Sequence, residues 1–139
     1  SRQKGIRFIK KVTMLIGSFS FFVSLAVFIF AHPIVNILLG PQYTESIKVL
    51  RILSFLPFII SLSNIFGIQT MLTFGYKKAF SRILISASII NIVLSFILVP
   101  IYQGIGTSVA VIISELFVTS SMFIYLQSRG IKILEGKIV

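Results

Sequence analysis

Cysteine and tryptophan are absent from this chain of 139 residues, and its acids number only three: Glu45, Glu115 and Glu135. Without cysteine there is no disulfide, no thiolate nucleophile and no Cys-ligated metal. His32 is the single histidine and sits beside Pro33, so no metal site or other cofactor site is expected. A membrane enzyme would need His, Asp or Glu clustered near an interface, and three acids spread one per region do not supply that.

What remains is apolar and basic. The hydrophobic share is 56%, the mean hydropathy is +1.05 and the formal net charge is +10. Such a charge would ordinarily suggest nucleic acid as a partner. No polar face is left here on which a phosphate-tracking stripe could be built, so no nucleic-acid partner is expected. The cations instead fall at the ends of apolar runs, where anionic membrane lipids attract them. Arg2, Lys4, Arg7, Lys10 and Lys11 open the chain; Lys77, Lys78 and Arg82 stand in the middle; Arg129, Lys132 and Lys137 close it. Lys48 and Arg51 lie between, and the turn at Tyr102 has none. Taken as segments flanking four membrane helices, the Lys/Arg counts run five, two, three, zero, three. Alternation of that kind follows the positive-inside rule. It predicts a multi-pass protein with both termini in the cytoplasm.

The expected fold is all-α, one transmembrane unit over 1–139 with spans at about 12–31, 52–74, 80–99 and 105–126. Twenty residues at about 1.5 Å each cover the hydrocarbon core of about 30 Å. Ser24-Leu25-Ala26 has the small-x-small spacing of a signal cleavage site, yet Val27 to Phe30 carries the apolar run past it, which reads as an internal helix of a longer protein. His32-Pro33 marks the outer end of the first span. Residues 43–53 mix Glu45, Lys48 and Arg51 with apolar positions and read as an interfacial amphipathic stretch. Pro57 reads as a kink in the second span and Pro100 as the end of the third.

Polar residues inside spans tend to face the bundle. At 100° per residue, Thr13, Gly17, Ser20 and Ser24 share one face. So do Ser54, Ser61 and Asn64 on the second span, and Ser81, Ser88, Asn91 and Ser95 on the third. Gly104, Ser108, Glu115 and Thr119 share an arc of the fourth. Such stripes let helices approach closely and hydrogen-bond; the same polarity would serve an aqueous cavity. Asn64 and Asn91 end a short Ser-x-x-Asn echo (Ser61, Ser88), which inter-helix amide bonds explain better than a ligand role. Glu115 stands apart as the charged side chain near mid-span, where insertion scales set a cost of about 2.5–3.5 kcal/mol. With no Lys or Arg of this chain at that depth, it must be protonated, reach water, or pair beyond the chain. It is the candidate for coupling, with a hydrogen-bonding strut as the competing role.

Gly40-Pro41-Gln42-Tyr43, then Ser46 to Pro57, resembles the segment before the tenth helix of bacterial O-antigen and polysaccharide flippases (Wzx-type). These belong to the multidrug/oligosaccharidyl-lipid/polysaccharide exporter superfamily. Gly67-Ile68-Gln69-Thr70 with Gly75 resembles that helix and its inner turn. Asn91, the Pro100-Ile101-Tyr102 turn, Gly104-Ile105-Gly106 and Glu115 resemble the last two helices. The resemblance implies the final third of a twelve-helix, two-lobe transporter in the bacterial inner membrane. Its implied partners are a lipid-linked oligosaccharide, membrane lipids, the remaining helices of the transporter and a polysaccharide polymerase. Gln69 joins Asn64, Asn91, Ser61 and Ser88 as candidate packing or cavity residues, and Lys48 and Arg51 are interfacial. A diphosphate substrate calls for cations facing the cavity, and these spans offer none. A drug/cation antiporter of the same superfamily and a small four-helix exporter are the alternatives. The latter usually carries its essential Glu in the first helix and uses tryptophan, unlike this chain.

Overall fold

The computed structural model of the chain describes residues 2–138. Its helices are α1 (Arg2–Ile29), α2 (Ala31–Leu38), α3 (Thr44–Leu53) and α4 (Leu56–Asn64), a π-helical segment (Ile65–Met71), α5 (Lys77–Tyr102) and α6 (Gly104–Ser128). Two short strands follow, β1 (Ile131–Lys132) and β2 (Lys137–Ile138), paired antiparallel. Among the described residues, four stretches are long and apolar enough to cross a membrane: Gln3–Ile29, Thr44–Met71, Lys77–Tyr102 and Gly104–Ser128. The fold is that of an all-α polytopic membrane protein. α6 is central, packed on α5, α4 and α3, while α1 packs on α4. Phe19, Phe22 and Phe96 point outward, as apolar side chains do when lipid or further helices cover them.

The small-residue face of α1 forms its seam with α4. Thr13, Ser20 and Ser24 are buried there, and Gly17 faces Leu62. Ser20 and Ser61 share a hydrogen bond of 2.8 Å. The backbone N–H of Phe58, in the first turn of α4, donates to Ser24 Oγ at 3.3 Å. A helix start has N–H groups without an intrahelical partner, and here a neighbouring helix supplies one. Pro57 therefore sits in the opening turn of α4, just after the break that divides the Thr44–Met71 span into α3 and α4, where its missing N–H costs nothing.

Pro100 does not end its helix. α5 continues through it to Tyr102, since so near a C-terminus only the bond toward the Phe96 carbonyl is lost. A single residue, Gln103, then links α5 to α6. Its φ of 55° and ψ of −123° lie in a region that a side chain disfavours and glycine accepts. Gln103→Gly is expected to raise stability by about 1 kcal/mol, read as a higher melting temperature in detergent; a lower one would show that the Gln side chain holds the turn.

The three basic clusters come together at one end of the bundle. Ile6 and Ile9 of α1, Met71, Met122, Leu126, Ile131 and Ile133 form one buried cluster, with Tyr76 and Tyr125 packed against it. The Tyr rings meet edge to face at 5.4 Å, and the Arg129 guanidinium lies 5.2 Å from the Tyr125 ring and 5.8 Å from that of Tyr76. Burial of Ile6 and Ile9 explains why the residues before position 12, expected to flank the helix, are its first turns. A smaller cluster of Ala31, Val35 and Ile47 closes the other end, near Lys48 and Arg51.

Candidate intramembrane polar site

Glu115 projects from α6 between two open clefts. One, about 270 Å³, is bounded by Ser63, Asn64 and Ile68 on the second span, Phe80 and Leu84 on α5, and Val118 on α6. The other, about 460 Å³, is bounded by Ala87, Ser88 and Asn91 of α5 with Ser114 of α6. Two amides, three hydroxyls and one carboxyl thus gather where α4, α5 and α6 meet.

Their hydrogen bonds are unevenly distributed. Ser63 donates to the Ile60 carbonyl at 3.0 Å, Ser88 to Leu84 at 2.9 Å and Ser114 to Ala110 at 2.8 Å. Hydroxyls bonded back to their own helix keep an acceptor lone pair free. Asn91 Oδ1 accepts from Ser95 at 3.2 Å. Among the described residues, neither the Glu115 carboxyl nor the Asn64 amide has a hydrogen-bond partner, and no cluster of three His, Asp or Glu could hold a metal. The site can accept a proton, a small cation or water, and nothing in it is arranged for nucleophilic attack.

No family model matches the chain, and no solved structure does. The chain is similar to the "Putative O-antigen transporter" of Escherichia coli (strain K12), with 40% identity over 133 residues. It resembles this transporter along nearly its whole length. The match takes in 93% of the chain and 31% of the relative, so the chain spans about a third of the protein it matches. The resemblance read from Gly40 to Glu115 stands on this likeness, and the four apolar helices make the chain a multi-pass membrane protein.

Against that likeness, the residues singled out in the sequence divide into groups. Asn64, Ser88 and Asn91 gather about Glu115. Ser61 does not: its hydroxyl faces α1 and donates to the Pro57 carbonyl at 2.6 Å. Gln69 is exposed on the π segment. Lys48 pairs with Glu45 at 3.7 Å in an exposed (i, i+3) bridge, and the Arg51 guanidinium lies 5.9 Å from the Phe28 ring. Ser63 and Ser114 were missed, although each adjoins a residue that was singled out. The clefts open on both sides of Glu115, so its contacts reach past the arc drawn at 100° per residue.

Proposed function

We propose that this chain is part of a flippase that carries an undecaprenyl-diphosphate-linked oligosaccharide, an O-antigen or capsule repeat unit, across the bacterial inner membrane. The mechanism is alternating access without covalent chemistry. Likeness to the Escherichia coli protein carries this reading, and the unpartnered acid in a polar, membrane-embedded cleft supports it. The four spans stand as the closing helices of the second lobe. Their lack of a cation at mid-depth leaves the substrate's diphosphate to the rest of the transporter, and makes these helices scaffold and coupling machinery. A polysaccharide polymerase would take up the delivered repeat unit on the outer leaflet.

Deleting the gene should abolish surface O-antigen or capsule and leave the lipid-linked repeat unit on the inner leaflet. Normal display from the deletion strain would overturn the assignment. The drug/cation antiporter is a second reading, favoured by Glu115 alone. It predicts instead that deletion raises sensitivity to cationic drugs and leaves display intact.

The orientation, with the three basic clusters cytoplasmic, is tested separately. Reporter fusions after Pro41 and Gln103 should read as periplasmic, and those after Lys78 and Lys132 as cytoplasmic. A cytoplasmic signal at Gln103 would be incompatible with α5 and α6 as separate spans.

A further inference from the structure

A cleft of about 760 Å³ opens at the basic end of the bundle, between α1 and the turn joining β1 to β2. Arg7, Lys10 and Lys11 line its upper part, and Met14, Leu15 and Ser18 line the part below. All six are on α1, where steps of three and four residues bring side chains onto one face. From Lys11 to Ser18 the helix climbs about 10 Å. The wall therefore changes from cationic to apolar over the distance that separates lipid head groups from acyl chains.

The β1–β2 turn builds the opposite wall. Gly136, at φ 66°, lies so close to α1 that a Cβ there would stand 3.0 Å from Lys10 Cδ and 3.9 Å from Arg7 Cγ. Its carbonyl accepts from Gln3 Nε2 at 2.8 Å, which ties the turn to the helix. The turn thus covers the alkyl stems of Lys10 and Arg7. Glu135 is the one acid on the rim. Among the described residues no ion pair joins Arg7, Lys10 or Lys11 to a carboxylate, and the Lys48–Glu45 bridge lies at the far end. Three cations consequently line one cleft without a carboxylate partner.

We propose that this cleft binds an anionic glycerophospholipid. Its phosphate would sit among Arg7, Lys10 and Lys11, and an acyl chain would lie along Met14 and Leu15. Charge and depth select this occupant: a soluble anion would have no use for the apolar floor, and a zwitterionic lipid would bring its own cation to a site with three already. Basic recesses beside membrane helices recognise acidic head groups by the same arrangement. The proposal is independent of what the protein transports.

The test uses the full-length protein in neutral detergent doped with equal amounts of phosphatidylglycerol and phosphatidylcholine. Native mass spectrometry reads the ratio of the two lipids retained. Wild type should favour phosphatidylglycerol, and R7Q/K10Q/K11Q should lower that preference by roughly fivefold per cation. K77Q/K78Q, at the same end but outside the cleft, should leave it unchanged, and Glu135→Gln should raise it. Since Glu135→Gln removes no cation, it reads the site even if the triple variant fails to fold. Equal retention of the two lipids by wild type would overturn the proposal. So would an equal loss in K77Q/K78Q, which would mean a diffuse surface field. Displacement of phosphatidylglycerol by equimolar polyprenyl diphosphate would overturn it in favour of a lipid-linked diphosphate.

Discussion

Glu115→Gln in the full-length protein is expected to abolish O-antigen display at normal membrane abundance. A strut earns its place by hydrogen bonds, and the Glu115 carboxyl has none among the described residues while facing two clefts. Gln preserves the shape and the capacity to hydrogen-bond but cannot ionise, so only a role that needs the charge or the proton is lost. Glu115→Asp keeps ionisation with a shorter reach and should retain part of the activity. The measurement is complementation of display, normalised to protein in the membrane. Full display from an abundant Gln variant would reduce Glu115 to a structural residue.

Gly106→Ala should separate α5 from α6. A Cβ at Gly106 would stand 2.5 Å from the Leu98 carbonyl oxygen, 2.7 Å from its carbon and 3.0 Å from the Val99 nitrogen. These are backbone atoms of a helix and cannot swing aside. Overpacking of this kind costs about 1–3 kcal/mol, and Gly106→Val should cost more. Thermal unfolding of the full-length protein in detergent reads the effect. Gly67 offers the contrast. Its nearest neighbours would be Phe80 Cε2 at 2.6 Å and Met122 Cε at 3.0 Å, side-chain atoms that can rotate, so Gly67→Ala should be milder. Equal melting of Gly106→Ala and wild type would mean that the two helices part freely.

The helices were legible because each apolar run is long, nearly uncharged and bounded by cations or turn residues. The amphipathic character of 43–53 was legible too, and its residues form α3. The contact surface of α6 was harder to read. Hydroxyls and the acid drew attention to Gly104, Ser108, Glu115 and Thr119, whereas a buried row of α6 runs Gly106, Ala110, Ser114, Val118, Met122, Leu126. Its first three members are small, the spacing that lets membrane helices touch closely, so size was the better guide there than polarity. Pro57 follows the break that divides the second span, whereas Pro100 was misjudged because the effect of a proline depends on distance from a helix end. The β1–β2 pairing had no signal in a tail of ten residues after Arg129; it exists because Ile131 and Ile133 bury in one cluster with Ile6 and Ile9 of α1 and Leu126 of α6. Gathering Asn64, Ser88 and Asn91 about Glu115 required the packing of three helices, which no single helical wheel contains.

The π segment, finally, bears on how this chain could tolerate a change in length. Ile65–Met71 is wound with bonds five residues apart, such as Leu72 N–H to the Gly67 carbonyl at 3.0 Å, and Thr70 Oγ1 reaches the Ile65 carbonyl at 2.8 Å. A turn closed in this way holds about one residue more than an α turn. The surplus is absorbed locally, so Ser63 and Asn64 before it and Tyr76 after it each keep their own neighbours. Excising a residue from this stretch, with exposed Ile68 as the natural choice, would tighten the coil to an ordinary α-helix without turning either flank out of phase. A deletion elsewhere in a span would rotate everything beyond it by about 100°. The second span thus carries its own slack, a single spare residue stored as a wider loop of the helix.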